Sequence, residues 1–121
     1  MRIKLFDSEL KVMDLLWSEG ELTALQIVAK LKESIGWSRT TTYTVIRKCI
    51  EKGAIERSEP NFVCSALISR GETQKYELEE LTNKLFGGSK DLLITALLSD
   101  EKLTNSEVEK LRKYIENLSG D

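Results

Sequence analysis

Apolar side chains recur at helical spacing in six stretches of this chain, and one short region between them alternates instead. Leu10, Met13, Leu16 and Trp17 mark a first helix, capped by Asp7 or Ser8 and ended by Gly20. Thr23-Ala24-Leu25-Gln26 has capping-box spacing, with threonine and glutamine each serving the other's backbone N–H. It predicts a second helix to about Ser34 that buries Ile27, Val28 and Leu31. Ile35-Gly36-Trp37 breaks the pattern. Ser38 caps a third helix to Lys52, and Gly53 sits where a left-handed C-cap is cheapest.

Ala54 to Arg57 and Phe62 to Ala66 read as the strands of a small β-hairpin around the turn Ser58-Glu59-Pro60-Asn61. Helical spacing then returns. Ser69-Arg70-Gly71-Glu72 starts a helix carrying Tyr76, Leu78, Leu81 and Leu85 and stopping at Gly87-Gly88. Ser89 opens a short apolar helix with Leu92, Leu93, Ile94, Ala96, Leu97 and Leu98. Thr104 to Glu107 is one more capping box, followed by Val108, Leu111, Ile115 and Leu118. The expected fold is mostly α with a small β-hairpin. A winged helix-turn-helix domain over 1–70 precedes a helical dimerisation domain over 71–121.

Composition narrows the chemistry. The 121 residues are 40% hydrophobic and 31% charged, an ordinary globular balance. Histidine is absent, which removes His-based triads and His-metal sites. Cys49 and Cys64 alone are too few ligands for a structural zinc, so no metal and no cofactor is expected. There is no Gly-rich phosphate loop and no nucleophile-base pair, and most of the acids, Glu9 among them, are expected on solvent faces in helix-stabilising spacings. The two tryptophans, Trp17 and Trp37, read as core residues. An enzyme is not expected. No apolar run reaches the roughly twenty residues of a membrane span, and the start lacks a signal-peptide core. The expected location is the cytoplasm, with reduced thiols.

Net charge is −2, but it is unevenly spread. Residues 1–70 hold 11 Lys/Arg against 9 Asp/Glu, and residues 71–121 hold 7 against 11. A mildly basic front and an acidic back suggest two jobs. Residues of the third helix advance by about 100° each. Thr42, Val45, Ile46 and Cys49 then fall on one side as a core stripe, and Thr40, Tyr43, Thr44 and Arg47 on the other. That second face has no acid and no aliphatic residue, and Ser38, Arg39, Thr41 and Lys48 adjoin it. Hydroxyls and guanidinium groups suit base edges and phosphates. Double-stranded DNA is therefore the expected partner, although such a face is often merely solvated. In the wing, Arg57 is the clear cation and Glu56 and Glu59 oppose it, so little affinity is expected from it.

The chain resembles the penicillinase repressor family of bacterial winged-helix repressors, the group of BlaI, MecI and CopY. The resemblance rests on Asp7 to Met13 with Leu16-Trp17, Gly36-Trp37-Ser38 with Thr41, and Glu51 to Ile55. Leu67-Ile68-Ser69, Leu85 to Gly88 and Asp100 to Thr104 complete it. It implies a homodimeric repressor on a palindromic operator with TACA/TGTA-like half-sites, Ser38 to Lys52 being the recognition helix. It also implies a regulatory protease or sensor that ends repression in the C-terminal helices. Two family features are missing. Ser89-Lys90-Asp91 follows the glycine pair where staphylococcal members have a cleavable Asn-Phe bond, and there is no C-terminal cysteine cluster of the copper-responsive kind.

Leu81, Leu85, Leu92, Leu93, Leu97, Val108, Leu111, Ile115 and Leu118 are the expected dimer contacts, because so short a tail buries little core alone. Two other readings stay open at this point: a winged helix that binds protein, and a thiol-based redox regulator using Cys49 or Cys64. Buried structural thiols are the plainer reading of the cysteines.

Overall fold

The computed structural model describes residues 3–99 and 104–119, and for 114–119 the backbone alone. The first helix, α1, runs Asp7–Glu19. It begins one residue earlier than an Asp7 cap would allow and two earlier than a Ser8 cap would. Phe6 is the N-cap, and its N–H donates to Glu9 Oε1 at 2.7 Å. The Glu9 carboxylate of the first turn thus reaches back to the N-cap N–H, and no Asp7 or Ser8 oxygen caps the helix from the front.

A two-residue strand, β1 (Leu22–Thr23), leads directly into α2 (Ala24–Ile35). Thr23 Oγ1 accepts from the Gln26 N–H at 3.1 Å, and Gln26 Oε1 from the Thr23 N–H at 2.8 Å. Gly36 ends α2 at φ 73°, a left-handed turn that an L side chain resists. Helix α3 follows as Arg39–Glu51, with Ser38 Oγ accepting from the Thr41 N–H at 3.1 Å. The strands β2 (Ile55–Ser58) and β3 (Val63–Ala66) form the hairpin.

The sheet has three strands, not the two expected. β3 is central, with β2 and β1 antiparallel on either side. Leu22 faces Cys64 and Thr23 faces Val63, and the Ala24 N–H extends the link to the Phe62 carbonyl at 2.9 Å. Phe62 itself leaves the strand, at φ 51° after Asn61 at φ 76°.

Val12, Met13, Leu16, Ile27, Leu31, Val45, Ile46, Cys49, Ile55 and Cys64 meet in one core beneath these elements. Trp17 and Trp37 are half-buried against it, and Trp17 Nε1–H donates to the Ile68 carbonyl at 2.9 Å. Val28, expected in the core, is only half-buried.

Three more helices follow: α4 (Arg70–Leu85), α5 (Lys90–Leu98) and α6 (Asn105–Ser119). Their capping boxes form as spaced, between Ser69 and Glu72 and between Thr104 and Glu107. Ser89 Oγ accepts from the Leu92 N–H at 3.2 Å. The chain divides into two compact units, residues up to Leu78 and residues from Glu79. The order of helices, wing and further helices is that of a winged helix-turn-helix followed by a helical region.

Candidate nucleic-acid interface

Helix α3 sorts its residues as helical spacing requires. Thr42, Val45, Ile46 and Cys49 are all buried. Thr42 is a buried hydroxyl without penalty, because Oγ1–H donates to the Ser38 carbonyl at 3.0 Å. The opposite side is open: Arg39, Thr40, Thr44, Arg47 and Lys48 are exposed and Tyr43 is half-buried.

The polar groups of this face are partly committed. Ser38 Oγ–H donates to Thr41 Oγ1 at 3.0 Å, so both hydroxyls are engaged in the helix start. Thr44 Oγ1–H donates to the Thr40 carbonyl at 2.9 Å. Thr44 therefore presents an acceptor oxygen and a methyl, not a donor. Tyr43 lies between two cations, its ring centroid 5.6 Å from the Arg39 guanidinium carbon and 5.8 Å from that of Arg47.

The wing adjoins the same face. Phe62 meets Tyr43 edge to face, with centroids 5.7 Å apart and planes at 69°. Arg57 stacks on Phe62 at 3.6 Å from the ring centroid. Arg57 Nε–H also donates to Glu59 Oε2, which holds the exposed Glu59 carboxyl below the usual carboxylate range. The one cation of the wing is thus already paired, through its Nε edge, with an exposed carboxylate.

At its other end α3 is tied to α1. Lys52 Nζ donates to Glu9 Oε1 at 2.5 Å and to the Lys4 carbonyl at 2.7 Å, 4.1 Å above the Phe6 ring. Glu9 was expected on a solvent face, yet it is 1% exposed. Its partner comes from 43 residues away, which no local pattern reports. Glu9 and Phe62 are the residues of this region that sequence reasoning missed. Phe62 carried no signal beyond being an aromatic beside a Pro-Asn turn.

Both cysteines are buried and free. Burial chiefly pushes the Cys49 thiol up to about 12, with the Glu9 and Cys64 charges adding to it. Burial pushes Cys64 up to about 11. Thiolate is the reactive form, so these sites are poor redox sensors near neutral pH. Among the described residues no three His, Cys, Asp or Glu gather to hold a metal ion. No helix there is long and apolar enough to cross a membrane.

The residues expected to pair two copies are divided. Leu81, Leu85, Leu92 and Leu97 are between 39% and 64% exposed, whereas Leu93 is buried within the single chain. Val108 and Leu111 are half-buried on α6. The side chains of Ile115 and Leu118 lie outside the described residues.

Residues 5–117 match the family model described as penicillinase repressor. A penicillinase repressor of Staphylococcus aureus is 27% identical over 120 residues, 98% of this chain and 95% of that protein. Among solved structures, the DNA-binding domain of the repressor BlaI superposes with a TM-score of 0.54 at 25% identity. It covers 60% of this chain and 93% of that domain. The monomeric form of Bacillus licheniformis BlaI, in complex with the blaP half-operator, superposes at 0.50 and 25% identity. There the coverage is 57% of this chain and 87% of that one.

Proposed function

The chain belongs to the penicillinase repressor family, and we propose that it is a transcriptional repressor that binds double-stranded operator DNA. In this reading residues 1–70 are the DNA-binding domain, α3 enters the major groove, and its outer face does the reading. Thr40, Thr44 and Arg47 meet base edges, Arg39, Tyr43 and Lys48 position the helix on phosphates, and Ser38 and Thr41 shape the helix start that meets the DNA. Arg57 adds a phosphate contact from the wing.

The observation that carries the proposal is the outer face of α3. It offers hydroxyls, guanidinium groups and one ring without an acid, in a fold shared with a repressor solved on its half-operator. Residues 71–121 pair two copies in the cytoplasm, so that two recognition helices meet the half-sites of a TACA/TGTA-like palindrome. The exposed leucines of α4 and α5 support that pairing. Repression is occlusion of the promoter, relieved when a protease or sensor cuts or disturbs the C-terminal helices. The activity is binding, without catalysis.

The test is titration of the protein into labelled palindrome and scrambled duplex at two salt concentrations. Tight, salt-sensitive binding to the palindrome with two chains per duplex is expected, because phosphate contacts release counterions. Equal, weak binding to both would mean a different operator or a protein-binding winged helix, which selection from random DNA separates, and insensitivity to salt would favour the protein-binding module. Arg47→Ala is the internal control. It should cost about 1–3 kcal/mol of operator affinity, the worth of a bidentate base contact, with the melting temperature unchanged.

A further inference from the structure

Phe62 has no hydrogen-bonding side-chain atom with which to read DNA. It nevertheless stands where the three arginines of the proposed interface gather, Arg57 on its own ring and Arg39 and Arg47 on the adjoining Tyr43 ring. We infer that Phe62 is a positioning residue for that interface, holding Arg57 directly and Arg39 and Arg47 through Tyr43 in one arrangement. This rests on the DNA-binding reading above.

Four contacts carry the inference. The Arg57 guanidinium carbon lies 3.6 Å from the Phe62 ring centroid. The Phe62 ring meets Tyr43 edge to face at 5.7 Å. The Tyr43 ring in turn has Arg39 at 5.6 Å and Arg47 at 5.8 Å. The backbone of Phe62 is fixed as well, its carbonyl accepting from the Ala24 N–H at 2.9 Å and its N–H donating to Glu59 Oε1 at 3.4 Å.

The local chain makes an aromatic here a poor choice for the turn alone. Phe62 sits at φ 51°, a region that bulky residues avoid and that Gly or Asn occupies more readily. The ring is what the site gains from accepting that backbone. Guanidinium groups rest on the faces of aromatic rings. Here two joined rings hold three of them on one surface, where free side chains would repel one another and sample many rotamers. Rotamers restricted before binding are not lost on binding, so the preorganised set binds more tightly than the same three arginines left loose. Glu59 completes the arrangement by fixing the Nε edge of Arg57, which leaves the two terminal nitrogens for a phosphate.

A double-mutant cycle on operator binding tests this, using wild type, Phe62→Leu, Phe62→Tyr, Arg57→Ala and the Phe62→Leu/Arg57→Ala pair. Leucine keeps apolar bulk and loses the ring, and should weaken binding about tenfold. Phe62→Tyr, which keeps the ring, should regain most of that. The double variant should bind far better than the product of the single losses predicts, because Phe62 acts partly through Arg57. Without DNA, the Arg57 side-chain protons should carry an upfield ring-current shift that Phe62→Leu abolishes. The inference is overturned by a Phe62→Leu protein that binds as wild type, by Phe62→Tyr failing as badly as leucine, by losses that multiply fully, or by Arg57 protons that ignore the ring. A wild-type protein that binds neither palindrome nor scrambled duplex would instead sink the DNA reading itself, and this inference with it.

Discussion

Glu9 is a carboxylate buried to 1% exposure, and one ammonium answers it. Lys52 closes the far end of α3, so the pair fixes how the proposed recognition helix sits against α1. Glu9 Oε2 has no hydrogen-bond partner among the described residues, which makes the charge on Lys52 the main compensation. Removing one member of a buried pair strands the other. Lys52 is itself 28% exposed, so water will answer part of the loss. Lys52→Ala should therefore destabilise the fold by about 2 kcal/mol, less than a fully buried pair would lose. The melting temperature should fall by several degrees, and an unchanged one would contradict the role given to this pair. The cysteines give a pH signature. Folding raises both thiols above their ordinary value of 9.0, Cys49 to about 12 and Cys64 to about 11. Below about pH 9 the thiols are protonated in both states, and stability does not depend on them. Above it the unfolded chain loses its protons first, so stability should fall as pH rises toward 12. Urea midpoints across that range should show the decline, and Cys64→Ala should reduce it. Fast reaction of Cys49 in the folded protein with a thiol reagent at pH 7 would contradict its burial.

Helix α3 was the most legible element. Its caps, its length and its buried side followed from Ser38, Gly53 and a period of 3.6, because a helix records its environment in its own spacing. The sheet was less legible. Two strands announced themselves by alternation, whereas β1 is two residues long and exists only because β3 lies beside it. Pairing over some forty residues leaves no local mark. The same reason hid Glu9, an ordinary exposed acid until Lys52 arrives from the end of α3, and Phe62, which reads as a strand residue and instead turns out of the strand. Helix α3 also sets which bases are preferred in the proposed complex. Thr44 has spent its donor on the Thr40 carbonyl, so it is left to accept, or to touch a thymine methyl. Thr40→Ala and Thr44→Ala should change the ranking of operator variants by several-fold while leaving scrambled duplex almost unaffected. A uniform loss on all DNA would mark both as phosphate contacts instead.

The whole molecule spreads its charge unevenly and leaves apolar side chains exposed in both of its units. The basic excess lies toward the front and the acidic excess toward the back, while the leucines of α4 and α5 stay exposed in a single chain. Those leucines were visible in the sequence as helical stripes, but a stripe does not state whether its own chain or a second copy covers it. Leu93 shows the difference, since the chain buries it unaided. The dimer is the proposed cover for the rest. Leu111→Asp with Ile115→Asp should yield monomers in sedimentation and weaken operator binding by the loss of paired half-sites. A mass that stays at twice 13.8 kDa would contradict the assigned interface.

Amide chemical shifts of isotope-labelled protein titrated with operator duplex report whether the outer face of α3 reads DNA. The largest changes are expected at Thr40, Tyr43, Thr44 and Arg47, smaller ones at Arg57 and Phe62, and little change at the buried Val45 and Cys49. Shifts confined to other surfaces, with α3 unmoved at saturating duplex, would contradict that role of α3.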